Sequence, residues 1–260
     1  MGDAKRIIVQ PISAKDANRI VQSLHYSGTS AVNPHINLGV FLNGKCGGAM
    51  QFGPSMQKSS IQTLVEKTQW NEFIELNRMA FADWLPRNGE SRALGFAFRW
   101  MRKQYPQLKW CVSFSDGTQC GDGTIYRASG FVLTGIKENS TIHEMPNGFR
   151  FADIGLRASS ALLREKVGYR LGELFSQFKK RTGCRRVPGY QLRYIYFLDP
   201  SARERLTVPI LPFSEIDRRG AGMYKGKPRV RSEDSGTSGD QPEGGGANPT
   251  RTLHTNEVAE

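Results

Sequence analysis

Tyr126 stands in CGDGTIYRASGF (residues 120–131), and Gly130–Phe131 follows it after three residues. A phenol has an unperturbed pKa of about 10, so it is protonated at neutral pH and can donate to a departing thiolate or alkoxide. The same window also reads as a short helix ending at a C-cap glycine, with the tyrosine packed at its rim. His25 and Tyr26 are adjacent in SLHYSG. An imidazole with an ordinary pKa of about 6.5 suits a base at neutral pH, while a histidine at a helix end can equally cap it. Asp116 closes SFSD, at the carboxyl end of an apolar strand, where open α/β sheets bind ligands. Its carboxylate could accept a hydrogen bond from a substrate amine, polarise His25, or simply close an Asx turn. Ser113 and Ser115 lie two apart on that strand and so share one face. His25, Tyr26 and Asp116 offer N and O ligand atoms, but their spacing gives a metal no independent support, and none is assigned.

The elements that must hold these residues follow from periodicity. KRIIVQPI reads as a strand and SAKDANRIVQSLH as a helix capped by Ser13, with Ala17, Ile20, Val21 and Leu24 on one face. INLGVFLNGKCGGAMQFG reads as two strands joined at Asn43–Gly44, the pair that favours a type I′ hairpin. EFIELNRMAFAD is a further strand. ESRALGFAFRWMRKQYP is a helix with Ala93, Leu94, Ala97, Phe98 and Met101 at helical spacing. LKWCVSFSD and FVLTGIKE are strands on either side of the short helix GTIYRASGF. A helical stretch, SSALLREKVGYRLGELFSQFKKRTG, precedes a last strand, LRYIYFLD. The order predicts an α/β fold: one mixed central sheet flanked by helices, with a helical insertion before the last strand.

The 260 residues carry Lys+Arg 36 against Asp+Glu 24, a net charge of +12, and residues 179–231 hold most of the excess. A polyanionic partner is the natural inference. From Arg229 the chain is rich in Gly, Ser, Pro and charge and poor in large apolar residues, so 1–228 is expected to be the catalytic domain and 229–260 a disordered tail. The four cysteines are far apart, without a CxxC pair, and read as free thiols. No apolar run reaches membrane-span length and no secretory h-region opens the chain, so a cytoplasmic protein is expected.

The strand ELNRMAF followed by RNGESRALGFAFRWMRK, and the Tyr-x3-Gly-Phe spacing, resemble the GNAT acyltransferase fold. The resemblance implies that this strand and helix cradle the donor, with Asn77, Arg78, Ser91, Arg92, Ser113 and Ser115 as donor-binding residues. It also implies Tyr126 as general acid. The loop Arg87–Arg92 has a single glycine and departs from the usual Arg/Gln-x-x-Gly-x-Gly/Ala pattern. More narrowly, LHYSG, GVFLNGKCGGAMQFG, ELNRMAFAD with ESRALGFAF, LKWCVSFSDGTQCGDGTIYRASGF and LRYIYFLD resemble, in that order, the Mom family of phage DNA modification proteins.

This resemblance implies an anti-restriction enzyme that converts adenine in DNA to N6-carbamoylmethyladenine, working in the cytoplasm of a bacterial host. His25, Tyr26, Asp116 and Tyr126 are then the catalytic candidates. The added group contains two carbons, one oxygen and one nitrogen, which acetyl cannot supply and glycyl can. Atom count therefore favours glycyl-tRNA as acyl donor, whereas fold analogy favours acetyl-CoA. Double-stranded DNA is the implied partner, with tRNA if the donor is glycyl-tRNA. Lys179, Lys180, Arg181, Arg185, Arg186 and Arg193 are the candidates for phosphate contact. Two alternatives stay open: an N-acetyltransferase acting on a protein or small amine, and a catalytically silent DNA-binding protein.

Overall fold

The computed structural model describes residues 3–157, 161–224 and 227–228. Its core is a seven-stranded sheet. The chain first lays down β1 (Ile8–Pro11), α1 (Ala14–Leu24), and the hairpin β2 (Ile36–Leu42) and β3 (Lys45–Gly53). Next come α2 (Lys58–Gln62), β4 (Phe73–Phe81), α3 (Gly89–Gln104) and β5 (Trp110–Asp116). α4 (Thr124–Ala128) and β6 (Val132–Glu138) follow, and β10 (Tyr190–Phe197) returns after an insertion to lie between β5 and β6. Sheet order is β1-β2-β3-β4-β5-β10-β6, and every adjacent pair is antiparallel except β4–β5.

Local chemistry explains these elements. Ser13 caps α1 by accepting the Asp16 N–H at 3.0 Å. Asn43 and Gly44 sit at φ 53° and 78°, the left-handed pair that a type I′ turn requires. Ala93, Leu94, Ala97, Phe98 and Met101 of α3 are all buried, as their spacing predicts. Successive β3 residues point to opposite faces: Met50 packs with the α3 side, Ala49 with Ala17 and Val21 of α1. The two helices therefore cover opposite faces of the sheet.

β4 and β5 pair only over Phe73↔Trp110, Ile74↔Cys111 and Glu75↔Val112. Beyond Glu75 the strands part. This opening in the middle of the sheet, stacked at its closed end by Phe73 on Trp110 with ring centroids 4.9 Å apart, positions everything that follows.

The insertion is not purely helical. It forms a three-stranded sheet in the order β8-β7-β9, made of β7 (Ile142–Glu144), β8 (Arg150–Ala152) and β9 (Arg185–Arg186). Three helices complete it: α5 (Asp153–Arg157), α6 (Ala161–Val167) and α7 (Phe175–Thr182). Phe151, Leu156, Val167, Phe178 and Cys184 give it a small core of its own. After β10 the chain adds α8 (Ser214–Arg218) and the short pair β11 (Met223–Tyr224) and β12 (Lys227–Pro228). The tail expected from Arg229 onward lies outside the described residues. All four cysteines are free thiols. Among the described residues no helix is long and apolar enough to cross a membrane.

Candidate active site

A cavity of about 570 Å³ fills the gap between β4 and β5. His25 and Tyr26 enter from the end of α1, Asn77 and Arg78 from β4, Ser115 and Asp116 from β5, and Tyr126 from α4. Seven of the ten expected catalytic and donor-binding residues thus line one space. Because α1 and α3 cover opposite faces, and Tyr126 packs with the α3-side core, the cavity draws its walls from both sides of the sheet.

Tyr126 is held by packing at three sides: its ring centroid lies 5.1 Å from Phe131 and 5.2 Å from Tyr194, and Ser113 is its side-chain hydrogen-bonding neighbour. The fully buried Ser113 donates in turn to the Leu76 carbonyl across the gap at 3.2 Å. Burial pushes the Tyr126 phenol above its ordinary pKa, so it stays protonated. Gly123, at φ 85°, starts α4 against the ring of Tyr194, whose hydroxyl donates to the Asp122 carbonyl. Tyr26 is 49% exposed as a residue, yet desolvation raises its phenol well above the usual value. Both tyrosines present proton donors.

His25 does not have the basicity expected of it. Burial, followed by the positive Arg78, lowers its pKa to about 3. Its Nδ1 accepts the backbone N–H of Ser27 at 3.2 Å and lies 2.8 Å from the Ser27 hydroxyl. A backbone N–H only donates, so the ring proton sits on Nε2. His25 also closes α1, its own N–H donating to Val21 O at 2.8 Å. It offers the cavity a donor rather than a base.

Asp116 does not polarise His25, whose hydrogen bonds go to Ser27. Its Oδ1 accepts the Thr118 N–H at 3.0 Å and Asn139 Nδ2 at 3.1 Å, and Oδ2 accepts Gln119 Nε2 at 2.9 Å. This is the Asx-turn arrangement, extended to fix two amides. Ser115 donates to the Gly121 carbonyl at 2.6 Å and so secures the same loop. Arg78 donates to Thr29 O at 3.0 Å and to Asn77 O at 2.7 Å, tying the loop after α1 to β4.

Ser91 and Arg92 stand apart from this cavity. Ser91 donates to Asn88 O at 3.2 Å, and Arg92 Nη2 to Lys5 O at 3.1 Å. Ser91 is thus bound to its own helix cap and Arg92 to the chain's N-terminal turn, and neither lines the cavity.

Sequence reasoning missed Glu75, Gln119, Cys120 and Asn139, all of which line the cavity. Glu75 had a readable signal: it shares the face of Asn77 by strand alternation, and is a charge inside an apolar strand. It stands where β4 and β5 separate, beside Ser55 and Asn77, and burial raises its pKa. Among the described residues no group of three or more His, Cys, Asp or Glu is placed to hold a metal ion.

The six basic candidates divide. Lys179, Lys180, Arg185 and Arg186 are exposed on the insertion. Arg185 pairs with Glu144 at 3.0 Å, and Arg186 Nη2 donates to Asn139 O at 3.3 Å. Arg181 grips Glu173 with two bonds of 2.9 and 2.7 Å. Arg193 lies in the sheet, donating to Thr134 O at 2.8 Å and Oγ1 at 3.1 Å, and burial lowers its pKa. Arg181 and Arg193 are therefore spent on the fold.

The mixed sheet, its single parallel pair and the cavity at their divergence define a mixed α/β protein with its candidate site in the middle of the sheet. Solved structures of similar fold include the ribosomal-protein-S18-alanine N-acetyltransferase of Escherichia coli, 12% identical over 74% of this chain and 94% of that one, TM-score 0.43. Another is a spermidine/spermine N-acetyltransferase of Vibrio cholerae, 9% identical over 77% and 98%, TM-score 0.41. The Mom protein family matches residues 6–215. The methylcarbamoylase Mom of Escherichia phage Mu is 35% identical over 208 residues, 80% of this chain and 82% of that protein. The chain belongs to the Mom family.

Proposed function

We propose that this protein is a transferase that installs a carbamoylmethyl group on N6 of adenine in double-stranded DNA, shielding phage DNA from restriction. The observation that carries the reading is the convergence of His25, Tyr26, Arg78, Asp116 and Tyr126 on one cavity whose walls come from both faces of the sheet, in a relative of a methylcarbamoylase. Two substrates can then meet through the gap, one from each side. N6 is a poor nucleophile because its lone pair is delocalised into the purine, so it must be oriented and deprotonated as its bond forms. Glu75 is suited to take that proton, since a raised carboxyl pKa is closer to the working pH. Tyr126 delivers a proton to the leaving oxygen or sulfur, and His25 Nε2–H can hold an acceptor atom of either substrate.

The donor that fits the atom count is an activated glycine, with glycyl-tRNA as its natural form. N6 attacks the glycyl carbonyl, the ester C–O bond breaks, and the released alkoxide takes a proton. The α-amine of N6-glycyladenine then attacks C6, and the original C6–N6 bond breaks. The product, with glycine nitrogen on the ring and the former N6 as carboxamide, is an isomer of the intermediate, and no oxidant or reductant is consumed.

The test is mass spectrometry of nucleosides from plasmid DNA in cells expressing the protein and fed glycine labelled at both carbons and nitrogen. A modified deoxyadenosine three mass units heavier supports the glycyl route. Carbon labelling without nitrogen would instead favour an acetyl-type donor, and absence of any modified deoxyadenosine would refute the reading.

A further inference from the structure

A second cavity, of about 350 Å³, adjoins the first and shares Ser27, Arg78, Gln119 and Ala152 with it as a common wall. Val32, Met56, Phe149 and Phe151 contribute apolar walls, and its size falls in the range of about 300–1,000 Å³ that seats small ligands. Val32 and Met56 are 71% and 67% exposed, so apolar side chains stand at its rim.

We propose that this second cavity seats the target adenine after it leaves the duplex stack, with its exocyclic amine on Gln119 Oε1 at the common wall. This rests on the DNA-modifying reading and gives the base its place. An enzyme acting on a base must extrude it and hold its flat ring among apolar side chains. Asp116 determines which end of Gln119 is offered. A carboxylate only accepts, so Nε2 is bound to Asp116, and Oε1, which has no partner among the described residues, is left as an acceptor for N6–H. That acceptor discriminates against guanine and thymine, which carry a carbonyl oxygen at the equivalent position.

The insertion makes this the DNA side. Phe151 packs edge-on to Phe178 at 6.1 Å, and the exposed Lys179 and Lys180 directly follow Phe178 on α7. Phosphate contacts and base seat then belong to one small packed unit.

The experiment uses the full chain and a duplex carrying 2-aminopurine at an adenine that the wild type modifies. Wild type should raise its fluorescence several-fold, as unstacking does. Val32→Trp, which fills the seat from an exposed position, should lose that rise while duplex affinity, by anisotropy, stays within twofold and the melting temperature is unchanged. Gln119→Ala should keep the rise yet lower the modified deoxyadenosine at least tenfold. If Val32→Trp both unstacks the probe and modifies DNA like the wild type, the cavity is not the base seat, and the function stands without it. If Val32→Trp unstacks the probe but blocks transfer of labelled glycine, the cavity holds the donor instead. A wild type that yields no modified deoxyadenosine removes both readings.

Discussion

Replacing Tyr126 by Phe removes one oxygen from the cavity and leaves the ring between Phe131 and Tyr194. The lost hydroxyl takes with it a hydrogen-bonding interaction with Ser113, while Ser113 keeps its bond to Leu76 O. A net hydrogen bond is worth about 0.5–1.5 kcal/mol, which for a domain of this size shifts Tm by roughly 1–6 °C. Loss of a general acid costs about 10²–10⁴ in rate, or roughly 3–5 kcal/mol of barrier. The two effects differ enough to separate. At matched protein levels the variant should yield at least a hundredfold less modified deoxyadenosine per unit time, read by mass spectrometry, with circular dichroism unchanged. A yield within threefold of wild type, whatever the Tm, would refute the assignment and leave Tyr126 as a packing residue.

The basic residues make a second test: Lys179→Ala with Lys180→Ala should flatten the slope of log K against log salt on duplex DNA by about 1.8, at about 0.9 per phosphate contact. Arg181→Ala and Arg193→Ala should instead lower Tm and leave the slope alone, since their partners are Glu173 and Thr134; a slope change from Arg193→Ala would contradict its placement. His25 binds its proton more weakly folded, near pKa 3, than unfolded, at about 6.5, so the stability it contributes is full above pH 6.5 and is lost as pH falls from there towards 3. Urea midpoints of wild type and His25→Asn should therefore converge on acidification, and parallel curves from pH 7.5 to 4.5 would sink this. Gly123→Ala should destabilise by at least about 2 kcal/mol, because its φ is 85° and the new Cβ would meet the Tyr194 ring at 2.5 Å. Gly44→Ala, at φ 78° but with open space around it, should cost only the turn strain.

The fold was legible wherever an element is long enough to repeat its pattern. α3 shows four turns of apolar spacing, and the Asn43–Gly44 turn announces its hairpin chemically. The insertion failed that test. β7 and β8 have three residues each and β9 two, too few for alternation to register, and they are separated by helices that dominate the local signal. Their pairing is set by tertiary contacts instead: Glu144 holds both Arg150 and Arg185, at 2.8 and 3.0 Å, bridging the two outer strands.

At the site, residue types were legible and partners were not. Nothing in SLHYSG reveals that the Ser27 N–H will occupy His25 Nδ1, or that burial beside Arg78 will hold the ring neutral. Nothing in SFSDGTQC says whether Asp116 will face a substrate or three donors of its own chain. Its three bonds change its role rather than remove it: a carboxylate fully occupied by Thr118, Gln119 and Asn139 orients side chains at the wall between the two cavities. Asp116→Asn would put an amide where Oδ1 and Oδ2 now only accept. One of the two facing amides would then have to turn or lose its partner. If Gln119 is the one that turns, its Nε2 replaces Oε1 at the wall, and a donor faces the donor N6–H2. A substitution that leaves shape and charge-free packing nearly intact would thereby disable the orientation of the base, which is the consequence expected of a residue that acts through its neighbours.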